Sequence, residues 1–266
     1  MPYILTTDKI CRNFDRLHAV DHISLNVEAG EVFGLLGRNG AGKSTLIKML
    51  TTLLPPTSGA ATIGGFDLQR QSTQVRRLVG YVPQALSADG ELTGYDNLLI
   101  FAKIYDMPRG LRETQIKESL AFMGLTEAAD KLVKTYSGGM VRRLEIAQSM
   151  LHKPAILFLD EPTIGLDPVA REAVWRHVRQ LRETYKTTIF LTTHYMEEVE
   201  ELCTRIAIMR RGKIVALGSQ AELRAAHKNN DASLGDIFAH YTEDETEADG
   251  GYREIAKTRK KAHRLQ

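Results

Sequence analysis

The chain has 266 residues, with 35 Lys and Arg against 33 Asp and Glu and a formal net charge of +2. That length buries a large core in one or two domains, and the near-neutral charge gives no global case for nucleic acid or a strongly anionic partner. Cys11 and Cys203 form no metal-spaced pair and no disulfide framework, which suits a reducing compartment. The N-terminus MPYILTTDKI lacks a basic start followed by an apolar run, so no secretory signal is expected. No apolar run approaches the ~18 residues that span a bilayer, so work at a membrane would need a separate spanning subunit.

Residues 3–35 alternate apolar and polar, as in Ile4-Leu5-Thr6-Thr7 and Ile23-Ser24-Leu25-Asn26-Val27, which predicts short antiparallel strands. Phe14 and Val20 fall among them. On spacing alone Phe14 reads first as strand core, with stacking on a purine base as the alternative. The apolar run Val32-Phe33-Gly34-Leu35-Leu36 predicts a buried strand, and Thr45-Leu46-Ile47-Lys48-Met49-Leu50 has helical spacing. Between them, Gly37-Arg38-Asn39-Gly40-Ala41-Gly42-Lys43-Ser44 fits the phosphate-binding pattern G-x-x-x-x-G-K-[ST]. Its glycines let successive N–H groups turn toward one anion, and the following helix N-terminus adds its dipole. The motif places Lys43 to reach the β- and γ-phosphates of a nucleotide and the Ser44 hydroxyl to ligate Mg²⁺.

Leu53–Gly59 is a helix stop and loop, Ala61–Gly65 a short strand and turn, and Val79–Gln84 a strand that leaves Gln84 at its exit. From about 93 to 152 the pattern turns helical. Leu98, Phe101, Ala102 and Tyr105 share one face, Pro108-Arg109-Gly110 breaks the helix, a second covers about 112–123, and a third runs from near Ser137 through Met150. This predicts a helical insert, about 85–152, between two halves of an α/β core. Ala155–Leu159 is a buried strand ending in Asp160-Glu161-Pro162, and Thr187–Thr193 another ending at His194. Glu197, Glu198, Glu200 and Glu201 mark the helix that follows. Strands around Ile206–Met209 and Ile214–Ala216 close the core with Arg211-Gly212 as their turn, and Ala232–Phe238 packs as a short helix. Residues 241–266, acidic and then basic, are expected to form a disordered charged tail; contact of its basic end with anionic lipid is the alternative to simple solvation.

An acid at a strand end means little alone. Beside a P-loop, Asp160 fits the carboxylate that holds Mg²⁺ with Ser44, Glu161 points toward the attacking water, and His194 faces the same phosphate. Six blocks in this order resemble the ATP-binding cassette (ABC) ATPase family: 37–44, Tyr81-Val82-Pro83-Gln84, Tyr136-Ser137-Gly138-Gly139-Met140, Ile156–Pro162, Thr163-Ile164-Gly165-Leu166-Asp167 and Thr192-Thr193-His194. The match covers about 3–240, and Ser137-Gly138-Gly139 is its specific discriminator.

The resemblance implies a RecA-like P-loop NTPase core with an N-terminal antiparallel β subdomain. It implies that Phe14, with Val20, meets the adenine, that Gly37 through Thr45 cradle the phosphates, and that Gln84 senses Mg²⁺ and water. Asp160 would be the Mg²⁺ carboxylate, Glu161 the catalytic one, and His194 the switch on the γ-phosphate. Asp167 would cross a dimer interface, and Ser137, Gly138 and Gly139 would bind the γ-phosphate of the other subunit. Met140 stands where the family commonly has Gln, and it lacks that side chain's hydrogen bonds.

One cassette without a span resembles the separate ATPase subunit of a transporter, and the run Gly34-Leu35-Leu36-Gly37-Arg38-Asn39-Gly40, the signature ending in Met140 and the block Ser233-Leu234-Gly235-Asp236-Ile237-Phe238 resemble the drug-export group of the daunorubicin-resistance type. The expected partners are a homodimer mate and a multi-span permease that holds the chain at the cytoplasmic face of the membrane. The alternative is a soluble ABC ATPase acting on nucleic acid or ribosomes. Against it stand the single cassette, the absence of heptads and the absence of a basic patch interleaved with aromatics.

Overall fold

The computed structural model describes residues 3–227 and 232–242. β1 (Tyr3–Phe14) and β2 (Leu17–Glu28) form a long antiparallel hairpin, β3 (Val32–Leu36) leads into α1 (Lys43–Leu50), and β4 (Ser58–Ile63) and β5 (Phe66–Asp67) follow. α2 (Ser72–Leu78) runs into β6 (Val79–Val82). The helices α3 (Gly94–Ile104), α4 (Arg109–Phe122) and α5 (Gly138–Met150) come next. The chain returns through β7 (Ile156–Asp160), α6 (Pro168–Tyr185), β8 (Thr188–Thr193), α7 (Met196–Leu202), β9 (Arg205–Arg210) and β10 (Lys213–Gly218). It ends, among the described residues, in α8 (Gln220–Ala226) and α9 (Leu234–Thr242).

Two sheets organise these elements. The first is antiparallel, in the order β2-β1-β4-β5. The second runs β10-β9-β3-β8-β7-β6, parallel from β9 to β6 with β10 antiparallel at its edge. A parallel sheet covered on both faces needs apolar residues at every position, which is why β3, β7 and β8 read as continuous apolar runs. Alternate residues serve two cores. Phe33, Phe158 and Phe190 face the antiparallel sheet and α1; Phe190 stacks on Phe33 at 5.2 Å between centroids and meets Phe158 tilted at 5.3 Å. Leu157, Leu159, Ile189 and Leu191 join the other core, with apolar residues of α3 to α7.

The register then fixes the site. Leu36 pairs with Thr193, Asp160 with Thr192 and Val82 with Leu159, so the C-terminal ends of four parallel strands lie side by side. The loops leaving those ends carry the P-loop, Gln84, Glu161 and His194. The crevice outside the carboxyl ends of parallel strands is the general ligand position in such sheets.

Local details differ from the sequence pattern. α4 begins at Arg109 rather than 112: Pro108 occupies the N-cap, and Gly110 sits in the first turn with open space around it. α2 and α8 were not foreseen, although Ser219 and Glu222 form a capping box for α8. Tyr241 and Thr242 close α9 instead of opening a tail, and the rest of the expected tail lies outside the described residues. Glu198 is fully buried, whereas Glu197, Glu200 and Glu201 on the same helix are exposed. No helix among the described residues is long and apolar enough to cross a membrane.

Candidate active site

The P-loop joins β3 to α1 in a conformation that only glycine takes easily. Gly40 and Gly42 have φ of 80° and 109°. A Cβ on Gly42 would sit 2.2 Å from the Ala19 carbonyl oxygen, so the loop is seated directly on β2. The turn between β9 and β10 buttresses it: the Gly212 N–H donates to the Ala41 carbonyl and the Asp21 N–H to the Gly212 carbonyl, both at 2.9 Å.

An open cleft of about 670 Å³ lies over this loop. Phe14, Asn39, Gly40, Ala41, Gly42, Lys43, Ser44, Thr45, Gln84 and Glu161 line it. Gly37 lies beneath, its N–H donating to the Thr193 carbonyl at 3.3 Å, and the Arg38 carbonyl accepts from Lys43 Nζ at 3.4 Å. Lys43, only 4 % exposed, also donates to the Gly37 carbonyl at 2.7 Å and pairs with Glu161 Oε1 at 3.0 Å.

The two carboxylates that end β7 face different partners. Asp160 Oδ1 accepts from Ser44 Oγ at 3.1 Å and from Thr192 Oγ1 at 2.6 Å. Glu161 turns out of the strand at φ 48°, and its N–H donates to the Thr192 carbonyl and hydroxyl, each at 3.1 Å. Its Oε2 lies 3.1 Å from His194 Nδ1. Two adjacent carboxylates buried at a strand end repel each other, and the Lys43 ammonium offsets that repulsion. Burial, and after it the Asp160 charge, pushes the neighbouring Tyr81 phenol up to about 12.

Phe14 ends β1 at the mouth of the cleft, 42 % exposed, with the Arg12 guanidinium 4.7 Å from its ring centroid. It is therefore not a core residue. Val20 is the reverse case: it is fully buried, packed in the core with Ile10 and Ile23, and does not line the cleft. The alternation of β2 explains this placement, because Ala19 and Val20 take opposite faces and Val20 faces inward.

The signature block lies elsewhere. The Ser137 side chain caps α5 by accepting from the Met140 N–H at 3.3 Å, and neither Ser137 nor the two glycines line the P-loop cleft. Ser137 and Gly138 are exposed, whereas Gly139 is buried against α6, where a Cβ would come within 2.8 Å of Ala170 Cβ. Asp167 caps α6 through the Ala170 N–H at 2.9 Å and is exposed.

Several residues have contacts at the site that the sequence did not show. Thr192 reaches Asp160 only because β8 pairs with β7, and Arg211 and Gly212 reach the cleft only because the β9–β10 edge sits beside β3. Glu198 accepts from Thr163 Oγ1 at 3.0 Å and Trp175 Nε1 at 3.1 Å, tying α7 to the loop after Glu161. Burial raises its carboxyl pKa, against hydrogen bonds that lower it. Cys11, Asp21 and His22 also offer ligand atoms within 4.8 Å of one another. The Lys213 ammonium already sits 3.2 Å from Asp21 there, and none of the three lines the cleft.

The family profile described as ABC transporter matches residues 20–164. The linearmycin resistance ATP-binding protein LnrL of Bacillus subtilis is 41 % identical over 83 % of this chain and 70 % of that protein. The daunorubicin/doxorubicin resistance ATP-binding protein DrrA of Streptomyces peucetius is 42 % identical over 85 % of this chain and 68 % of that one. Among solved structures, an ATP-binding subunit of an ABC transporter superposes with a TM-score of 0.80 at 27 % identity, covering 90 % of this chain and all of that one. The protein cbiO1 of Clostridium perfringens, part of the transporter complex cbiONQ, gives 0.77 at 27 % identity, covering 85 % and 92 %. A P-loop, a paired carboxylate and a histidine gathered at one sheet edge therefore accompany whole-domain similarity in sequence and fold, and the chain belongs to the ABC transporter family and carries its ATPase domain.

Proposed function

We propose that this ATPase drives an exporter and works as a homodimer, with two ATP molecules held head to tail between two copies. One observation carries the reading. Ser44 and Glu161 line one cleft, with Asp160 bonded to Ser44 and His194 to Glu161, while Ser137 and Gly138 stand exposed outside it. A helix N-terminus suits a phosphate, and an outward one suits a phosphate held by a second body. Asp167, next to the Leu166 that packs on Gly138, is assigned to the same interface.

Within one cleft the roles divide by chemistry. The P-loop N–H groups and Lys43 hold the β- and γ-phosphates, and Phe14 stacks on the adenine. Ser44 Oγ and Asp160 Oδ1 are hard oxygen donors 3.1 Å apart, and Gln84 lines the same cleft, so the donor set fits Mg²⁺. When bound, that ion neutralises charge on the phosphate oxygens. Glu161 orients the attacking water and takes its proton. Lys43 leaves Glu161 Oε1 as it turns to the phosphates, while His194 continues to hold Oε2. His194 also reports the γ-phosphate.

The export direction rests on the relatives named for linearmycin and daunorubicin/doxorubicin resistance, and the separate permease on complexes such as cbiONQ. The chain would then sit at the cytoplasmic face of the membrane through that permease, which selects the substrate. Affinity purification from detergent-solubilised membranes tests this. A co-purifying multi-span protein is the expected result; recovery of RNA or ribosomes in its place would overturn it.

A further inference from the structure

The helix that begins at the signature carries a buried ion pair that the scheme above does not use. Arg142 and Glu145 lie about one turn apart on α5, and both side chains are 2 % exposed. Such a pair is held at a desolvation cost that apolar residues of the same shape would avoid, so its partners matter more than its charge.

Arg142 donates from Nη1 to Glu145 Oε2 at 2.9 Å and to the Pro83 carbonyl at 2.7 Å, and from Nη2 to the Gln84 carbonyl at 2.8 Å. Glu145 Oε1 accepts from the N–H and hydroxyl of Ser87 and from the Ala88 N–H. The pair thus grips the segment 83–88 at both ends. Gln84 is inside that grip, with its carbonyl pinned to α5 and its side chain at the nucleotide cleft. Gly138 and Gly139 begin the same helix, one turn before Arg142.

We propose that Arg142 and Glu145 are positioning residues for ATP hydrolysis: they lock Gln84 to the signature helix, so that seating the signature on a partner's nucleotide and setting Gln84 in the chain's own cleft are one movement. This rests on the ATPase reading. A guanidinium fork is needed because one group must hold two carbonyls and a carboxylate in fixed directions, which an ammonium does not do. The carboxylate is needed because three donors converge on one oxygen.

The test uses Arg142→Lys, Glu145→Gln and the apolar double variant Arg142→Met with Glu145→Leu. ATP affinity, kcat, the Mg²⁺ concentration for half-maximal activity, amide exchange at Ser87 and Ala88, and melting temperature are measured on each. The single variants should bind ATP within about twofold of wild type, because neither residue touches the P-loop, while kcat falls about tenfold or more. Half-maximal activity should need roughly threefold more Mg²⁺, and the two amides should exchange faster. The double variant leaves no unpaired buried charge and should melt no lower than the single variants, but it cannot bind the 83–88 backbone and should not regain kcat. Wild-type kcat and Mg²⁺ response in a folded single variant, or recovery of kcat in the double variant, would overturn the proposal. Failure of the underlying ATPase reading is a different result, absence of Mg-ATP hydrolysis by the wild-type protein.

Discussion

The P-loop and the signature are both short glycine-containing turns that open a helix, yet the fold treats them oppositely. The P-loop is enclosed from beneath by its own chain: β2 lies under Gly42, the β9–β10 turn holds Ala41, and Glu161 meets Lys43. The signature has one side fixed, Gly139 against Ala170, and leaves Ser137 and Gly138 exposed. The outer rim of the P-loop, Arg38 to Gly40, is left exposed toward the open cleft. In the proposed head-to-tail dimer the two turns are halves of one site, the P-loop holding the phosphates from its own chain and the open signature face closing over the nucleotide of a second copy.

The largest change should come from the enclosed half. Lys43→Ala removes the side-chain cation that faces both Glu161 and the phosphates, and it should abolish ATP binding or hydrolysis. Normal ATPase activity in that purified variant would break the assignment of the cleft. Glu161→Gln comes next. Turnover should fall by roughly 10²- to 10⁴-fold while ATP affinity is kept, since only the proton acceptor is lost. Size-exclusion chromatography with Mg-ATP should show that variant accumulating as a dimer; a monomer that stays active contradicts both points.

A smaller effect sharpens the signature side. Gly139→Ala brings a methyl against Ala170 and should cost about 1–3 kcal/mol of stability through overpacking, read as a lower melting temperature. An unchanged melting temperature would mean that α5 and α6 are not closely seated there. The smallest effect concerns Glu198. Its pKa is raised in the folded protein, so it binds a proton more tightly there than in the unfolded chain. Its stabilising contribution is full below the ordinary carboxylate range and is lost as pH rises through the folded value. Melting temperature should therefore decline across that window in the wild type and less so in Glu198→Gln. Parallel pH profiles would remove Glu198 as the cause.

Much of this was legible in the sequence wherever function is local. The P-loop, the Asp160-Glu161 strand end and the helix starting at the signature each sit on a few consecutive residues with strong patterns. What stayed hidden depends on strand order. Thr192 hydrogen-bonds Asp160 because β8 lies beside β7, and the Arg211-Gly212 turn braces the P-loop because β9 lies beside β3. Arg142 and Glu145 look like a solvated helical pair by spacing; only packing of α5 against the segment after β6 buries them. Val20 lies one residue beyond the cleft-lining Ala19, and that step of strand alternation turns its side chain into the core.

Mixing two inactive variants tests the open-faced signature most directly. Gly138→Asp leaves the P-loop intact, and its Cβ meets only Leu166 at 3.4 Å, so the chain should fold and bind ATP alone. In a dimer, its carboxylate would face a γ-phosphate of the opposite copy, and like charges there should block closure and hydrolysis. Combined with Lys43→Ala, each mixed dimer would hold one composite site with both lesions and one with neither. Equal mixing should then restore about a quarter of wild-type ATPase activity, half of the dimers being mixed and each having one sound site. No activity above the sum of the separate variants, together with lost ATP affinity in isolated Gly138→Asp, would mean that the signature serves its own chain's nucleotide and would contradict the head-to-tail dimer.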